Sequence, residues 1–161
     1  MNDALARPFP LNALLEPVQP WRAVLVGWAM TTIPALLLSL IVASLLPQAA
    51  RPEFGVIDLN LFVRLVVIAP LLETLIMATV LEVLLLALPP KWAVVTSSLG
   101  WGVAHSLIAP NWGLVIWWPF LIFSTLYVTW RGQGRLLAIA IVFAVHALNN
   151  LGPALLLWRS G

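Results

Sequence analysis

The sequence contains no cysteine. That excludes disulfides, thiolate nucleophiles and thiolate metal sites, and it leaves the redox compartment unread. Charge is also scarce: Asp, Glu, Lys and Arg make up 9% of the chain, against roughly a quarter in a soluble domain. So few charges cannot coat a water-soluble fold. The formal charge of +2 arises from eight basic and six acidic residues, with no basic patch or stripe, which argues against nucleic acid as a partner. The first residues, with Asp3, Arg7, Pro8 and Pro10, lack the charged-then-apolar build of a cleavable signal. The first hydrophobic span is therefore expected to remain in the protein.

What the chain does have is apolar length, since 62% of its 161 residues are hydrophobic. A membrane helix needs about 20 consecutive apolar residues. Five such spans are expected, at residues 21–46, 59–88, 92–109, 113–130 and 136–158. Pro47, Pro89-Pro90 and Pro110 fall at their ends, where a residue that cannot continue a helix belongs. The runs are continuous rather than alternating, which favours helices over a barrel. The fold class is thus all-α, a polytopic transmembrane helix bundle of about five spans. Residues 21–158 form one bundle. Residues 1–20 form a Pro-punctuated segment with Phe9, Leu11, Leu14 and Leu15, suited to a brief interfacial helix. Pro119 and Gly152-Pro153 are expected to bend or loosen their spans. Arg7, Arg22, Lys91, Arg131 and Arg135 share one side, against Arg51, Arg64 and Arg159 on the other. The bias favours a cytoplasmic N-terminus. Most of the nine tryptophans fall near span ends, as an interfacial belt requires; Trp101 is deep in its span.

Polar groups within the spans are few and fall at one level. Glu73 is about 24 Å from Pro89 and His105 about 21 Å from Lys91, at 1.5 Å of rise per residue. His146 and Asn150 are roughly 16 and 22 Å from Arg135 by the same rise. His146 and Asn150 are spaced i, i+4 and share a helix face, as do Trp101 and His105. Glu82, nine residues beyond Glu73, falls near the opposite face and closer to the interface, outside this layer. An ionisable residue at mid-membrane costs a few kcal/mol to insert and usually marks a site. Each group alone also fits simple polar packing between helices.

A glutamate with a neutral histidine can activate water as a general base. A second histidine and an asparagine can donate to an oxyanion. The expected catalytic residues are Glu73, His105, His146 and Asn150. Glu73, His105 and His146 would also suit a divalent metal such as zinc, which accepts His nitrogen and Glu oxygen. Both routes lead to hydrolysis. Ser106 adjoins His105, but adjacent helix positions do not face each other, so no serine–base pair is expected.

These residues resemble the CPBP intramembrane protease family, also called the CAAX-protease, bacteriocin-processing or Abi family. Its motifs are Glu-Glu-x-x-x-Arg, Phe-x-x-x-His and His-x-x-x-Asn/Asp, in order on separate helices. Here they correspond to Glu73 through Ala78, Trp101 to His105, and His146 to Asn150, within residues 59–158. The resemblance implies a membrane peptidase in which Glu73, His105 and His146 activate water and Asn150 binds the oxyanion, with or without a metal. Thr74 stands where the family has its second Glu, Ala78 where it has Arg, and Trp101 where it has Phe.

The expected partners are the lipid bilayer, a membrane peptide or protein substrate, and a membrane-protein partner. The expected location is a bacterial inner membrane. Two other readings remain open at this point. One is a catalytically degenerate relative acting as an assembly or partner-binding subunit. The other is a small transporter or proton-path subunit using Glu73 and the histidines as a relay.

Overall fold

The computed structural model describes residues 10–48 and 55–160. Arg7, Phe9 and Arg51 lie outside the described residues. Among the described residues, seven α-helices follow in order: α1 (Leu11–Leu15), α2 (Pro20–Leu45), α3 (Leu59–Val63), α4 (Ala69–Leu84), α5 (Pro90–Ser106), α6 (Pro110–Trp130) and α7 (Arg135–Ser160). A π-helical turn, Arg64–Ile68, joins α3 to α4, so that Leu59–Leu84 is one continuous helical rod. No strand occurs among the described residues. Four rods, α2, α3–α4, α6 and α7, are long and apolar enough to cross a membrane. The expected third span, 92–109, is the 17-residue helix α5, about 25 Å long at 1.5 Å per residue. It packs in the bundle as the fifth member, chiefly against α6.

The prolines play a larger part than terminating helices. Pro20, Pro90 and Pro110 each open one, α2, α5 and α6 respectively. There the missing N–H costs nothing, because the first turn has no acceptor for it. Pro34, Pro119 and Pro153 lie inside helices that continue past them. The expected loosening at Gly152-Pro153 therefore does not end α7, which runs on to Ser160. In lipid, each carbonyl freed by such a proline needs another donor. Pro34 cannot donate to the Met30 carbonyl, one turn earlier. The indole Nε1 of Trp118, on α6, donates to that carbonyl at 2.7 Å. A helix defect thereby becomes an α2–α6 tie.

That pairing is testable. Trp118→Phe should destabilise the bundle by about 1–3 kcal/mol, the cost of leaving a buried acceptor unpaired. Adding Pro34→Ala restores an N–H to Met30 and should recover much of the loss. Thermal unfolding of the two variants in detergent reads the difference, and purely additive effects would contradict it.

The core is aromatic on α6 and small or branched on its neighbours. Phe120, Phe123, Leu126, Tyr127 and Trp130 of α6 are buried against Met77, Ala78 and Leu81 of α4, Ala93 of α5 and Ile141, Val142 and Val145 of α7. α6 is thus the central helix. Hydrogen bonds fix its register: Ser124 donates to Ser97 of α5 at 3.1 Å, and Thr129 to the Leu14 carbonyl of α1 at 2.9 Å. Lipid-facing residues such as Leu36, Leu37, Leu40 and Ile41 of α2 are exposed, as expected where the solvent is hydrocarbon.

Candidate functional site

Glu73 lies near the middle of the Leu59–Leu84 rod, in the second turn of α4, and His146 midway along α7. The two helices pack together and bring Glu73 Oε2 within 3.5 Å of His146 Nε2. The His146 side chain is 4% exposed and that of Glu73 26%. The carboxylate therefore retains an opening, and the imidazole does not. Phe123 lies tilted against the His146 ring at 4.5 Å, and Phe120 meets it edge-on at 5.6 Å. With Glu73 ionised, the ring nitrogen that carries the proton is Nε2, since a carboxylate only accepts. His146 Nδ1 is buried without a hydrogen-bond partner in the protein.

His105 closes the last turn of α5. Its Nδ1 lies 2.9 Å from the Trp101 carbonyl. A carbonyl only accepts, so Nδ1 carries the proton and Nε2 of the neutral ring keeps its lone pair. Trp101, one turn earlier, stacks on Phe120 at 4.3 Å with 13° between the rings. Phe120 also contacts His105 at 5.7 Å. This single aromatic side chain touches both histidines, and Trp112 covers His105 edge-on at 4.8 Å. The two rings thus share one aromatic wall.

Asn150 is held in place by a second helix defect. In the π-turn the Ala69 N–H reaches back to Arg64 O, and Pro70 has no N–H. Leu65 O is left without a donor from its own rod, and Asn150 Nδ2 donates to it at 3.0 Å. Asn149 Nδ2 donates to Asn150 Oδ1 at 3.3 Å, and Thr32 Oγ1 to Asn149 Oδ1 at 3.2 Å. A polar chain therefore links α2, α7 and the π-turn beside the Glu73–His146 pair. The second proton on Asn150 Nδ2 is not used in these bonds.

Among the described residues, no three His, Asp or Glu side chains are grouped closely enough to hold a metal ion. Glu73 and His146 face each other, while His105 is turned to its own backbone.

Next to Glu73, Thr74 is buried with its hydroxyl unpartnered, and Ala78, one turn on, is 4% exposed in the core. Glu82, set outside the polar layer on sequence grounds, is a substantial polar centre of its own. Its Oε1 accepts from Tyr127 Oη and Arg131 Nε at 2.9 Å each. Its Oε2 accepts from Arg131 Nη2 and Arg135 Nη2 at 3.0 Å each. The signal was present in the placement of Arg131 and Arg135 on the side towards which Glu82 lies. Phe120 and Phe123, spaced i, i+3 on α6, carried no signal that separates a site wall from core packing. Comparison of the chain with family models, with curated proteins and with solved structures found no match.

Proposed function

We propose that this membrane protein is a peptidase that hydrolyses a peptide bond within the bilayer, using Glu73 as general base. The observation that supports the reading is the Glu73–His146 pair, 3.5 Å apart and closed on one side by Phe120 and Phe123. Glu73 takes a proton from water, and the water oxygen bonds to the scissile carbonyl carbon. The carbonyl electrons move onto oxygen as an oxyanion. Collapse of that intermediate expels the amine, which receives the proton held by Glu73. His146 Nε2–H orients the carboxylate. His105 Nε2 has a lone pair to hold the attacking water, and the free proton of Asn150 Nδ2 suits the oxyanion. The substrate is a membrane peptide. The CPBP resemblance supports the same assignment through the order of its three motifs. The setting we propose is a bacterial inner membrane. Arg22, Lys91, Arg131 and Arg135 share one end of the bundle, which we assign to the cytoplasm with the N-terminus.

The test is cleavage of a library of single-span peptides by the purified protein in lipid vesicles. Glu73→Ala and His105→Ala are each expected to abolish cleavage while the helical content stays that of the parent. Undiminished cleavage by either variant would overturn its assignment.

The polar chain from Thr32 to Leu65 O favours a second reading, an assembly or partner-binding subunit in which the layer ties helices together. Under it, a copurifying membrane partner remains bound in Glu73→Gln, and no peptide is cut by the parent.

A further inference from the structure

A separate groove lies along α4 and α7. Its volume is about 330 Å³, and its walls include Leu75, Ala78 and Thr79 of α4 and Ile139 of α7. Leu75, Ala78, Thr79 and Glu82 are spaced i, i+3, i+4 and i+7, one stripe of a helix. The groove therefore runs lengthwise along α4, about 10 Å from Leu75 to Glu82 at helical rise. Its deep part is apolar; the Thr79 hydroxyl is turned back to the Leu75 carbonyl. Its other end is the Glu82 centre, where the helices leave the membrane.

That end carries surplus positive charge, with Arg131 and Arg135 facing the single carboxylate of Glu82. Glu82 is saturated by four donors, and the fork of Arg131 is spent on both of its oxygens. Arg135 gives one N–H of its five to Glu82. Its side chain is 69% exposed. An apolar channel parallel to the membrane normal, ending at a cation at the interface, has the layout of one phospholipid. Basic pockets between membrane helices characteristically take anionic head groups.

We propose that this groove binds one acyl chain of an anionic phospholipid, with the head-group phosphate on the Arg135 guanidinium. The inference does not depend on the peptidase reading, since none of its residues belongs to the Glu73 layer. Glu82 sets the geometry by holding Arg135 over the groove mouth, and Tyr127 and Arg131 hold Glu82.

The experiment uses the full chain in neutral detergent, titrated with phosphatidylglycerol, phosphatidylcholine or inorganic phosphate. The readouts are the unfolding temperature and the number of lipids retained in native mass spectrometry. Phosphatidylglycerol is expected to raise the unfolding temperature and to be retained at one copy; phosphatidylcholine and inorganic phosphate are not. Arg135→Gln should weaken phosphatidylglycerol binding about fivefold, the value of one basic residue near an anionic head group. Thr79→Phe, at an exposed position on the groove wall, should block the acyl chain and abolish retention. Both variants should unfold near the parental temperature without lipid. Equal stabilisation by the two lipids, stabilisation by phosphate alone, or undiminished binding by Arg135→Gln would each overturn the proposal. Retention of a membrane peptide in place of lipid would do the same.

Discussion

Gly113→Ala is expected to break the α5–α6 pair, whereas Gly100→Ala, the same chemical change, should be harmless. A Cβ built on Gly113 overlaps the Gly102 carbonyl oxygen and the Ser106 hydroxyl, and lies 2.9 Å from the Gly102 carbonyl carbon. Gly102 is confined too, though less severely, with Trp117 Cβ at 3.0 Å and Gly113 O at 3.3 Å from its own added Cβ. The obstacle at Gly113 is mainly backbone, which cannot swing aside as a side chain can. Two glycines at one crossing let helix backbones approach closely, the usual basis of helix association in lipid. Forcing a methyl group into such a contact costs about 1–3 kcal/mol and occasionally more. The loss also reaches the site, because α5 carries His105 and α6 carries Phe120. At Gly100 an added Cβ meets nothing within 4 Å. There the substitution should stabilise the helix by roughly 0.5–1 kcal/mol, the conformational penalty of glycine in a helix interior. Unfolding of the two variants in the same detergent should shift in opposite directions. A parental unfolding temperature for Gly113→Ala would overturn the close α5–α6 contact.

The second large effect concerns the pairing of Glu73 with His146. If the two act as one unit, Glu73→Gln and His146→Ala should each lower the cleavage rate by about 10²–10⁴-fold, the usual contribution of general-base catalysis. The double variant should then be scarcely slower than either single one, because groups that act as a unit lose their effect together. His105→Ala combined with Glu73→Gln tests a different connection. His105 is anchored to Trp101 O rather than to the carboxylate. Multiplicative losses for Glu73→Gln and His146→Ala would mean that the 3.5 Å contact does not couple them in the reaction. Measuring kcat and KM separately distinguishes a catalytic loss from weakened substrate binding.

The same contact also separates what a chain of this composition reveals from what it conceals. Depth along a helix is a matter of counting residues, because the rise per residue is constant. The levels of Glu73 on α4 and His146 on α7 followed from that alone, and the two helices bring the residues together. Counting gives no distance across the bundle and cannot say which histidine meets Glu73; the folded chain brings His146 to it, within 3.5 Å. Glu82 shows the converse limit. Its nine-residue separation from Glu73 places it on another face of α4, but no local rule says that Tyr127, Arg131 and Arg135 converge on that face.

Absence of cysteine, scarcity of charge and long apolar runs by themselves determined an all-helical membrane bundle, because in hydrocarbon a chain must pair its backbone groups within each segment. The few intramembrane polar residues and their levels were determined in the same way. Which of them touch was decided only by tertiary structure. The close Gly102–Gly113 crossing sets how near α5 lies to α6, and donors on neighbouring helices satisfy the carbonyls freed by Pro34 and Pro70. Those contacts join residues far apart in the chain, where neither periodicity nor spacing carries information.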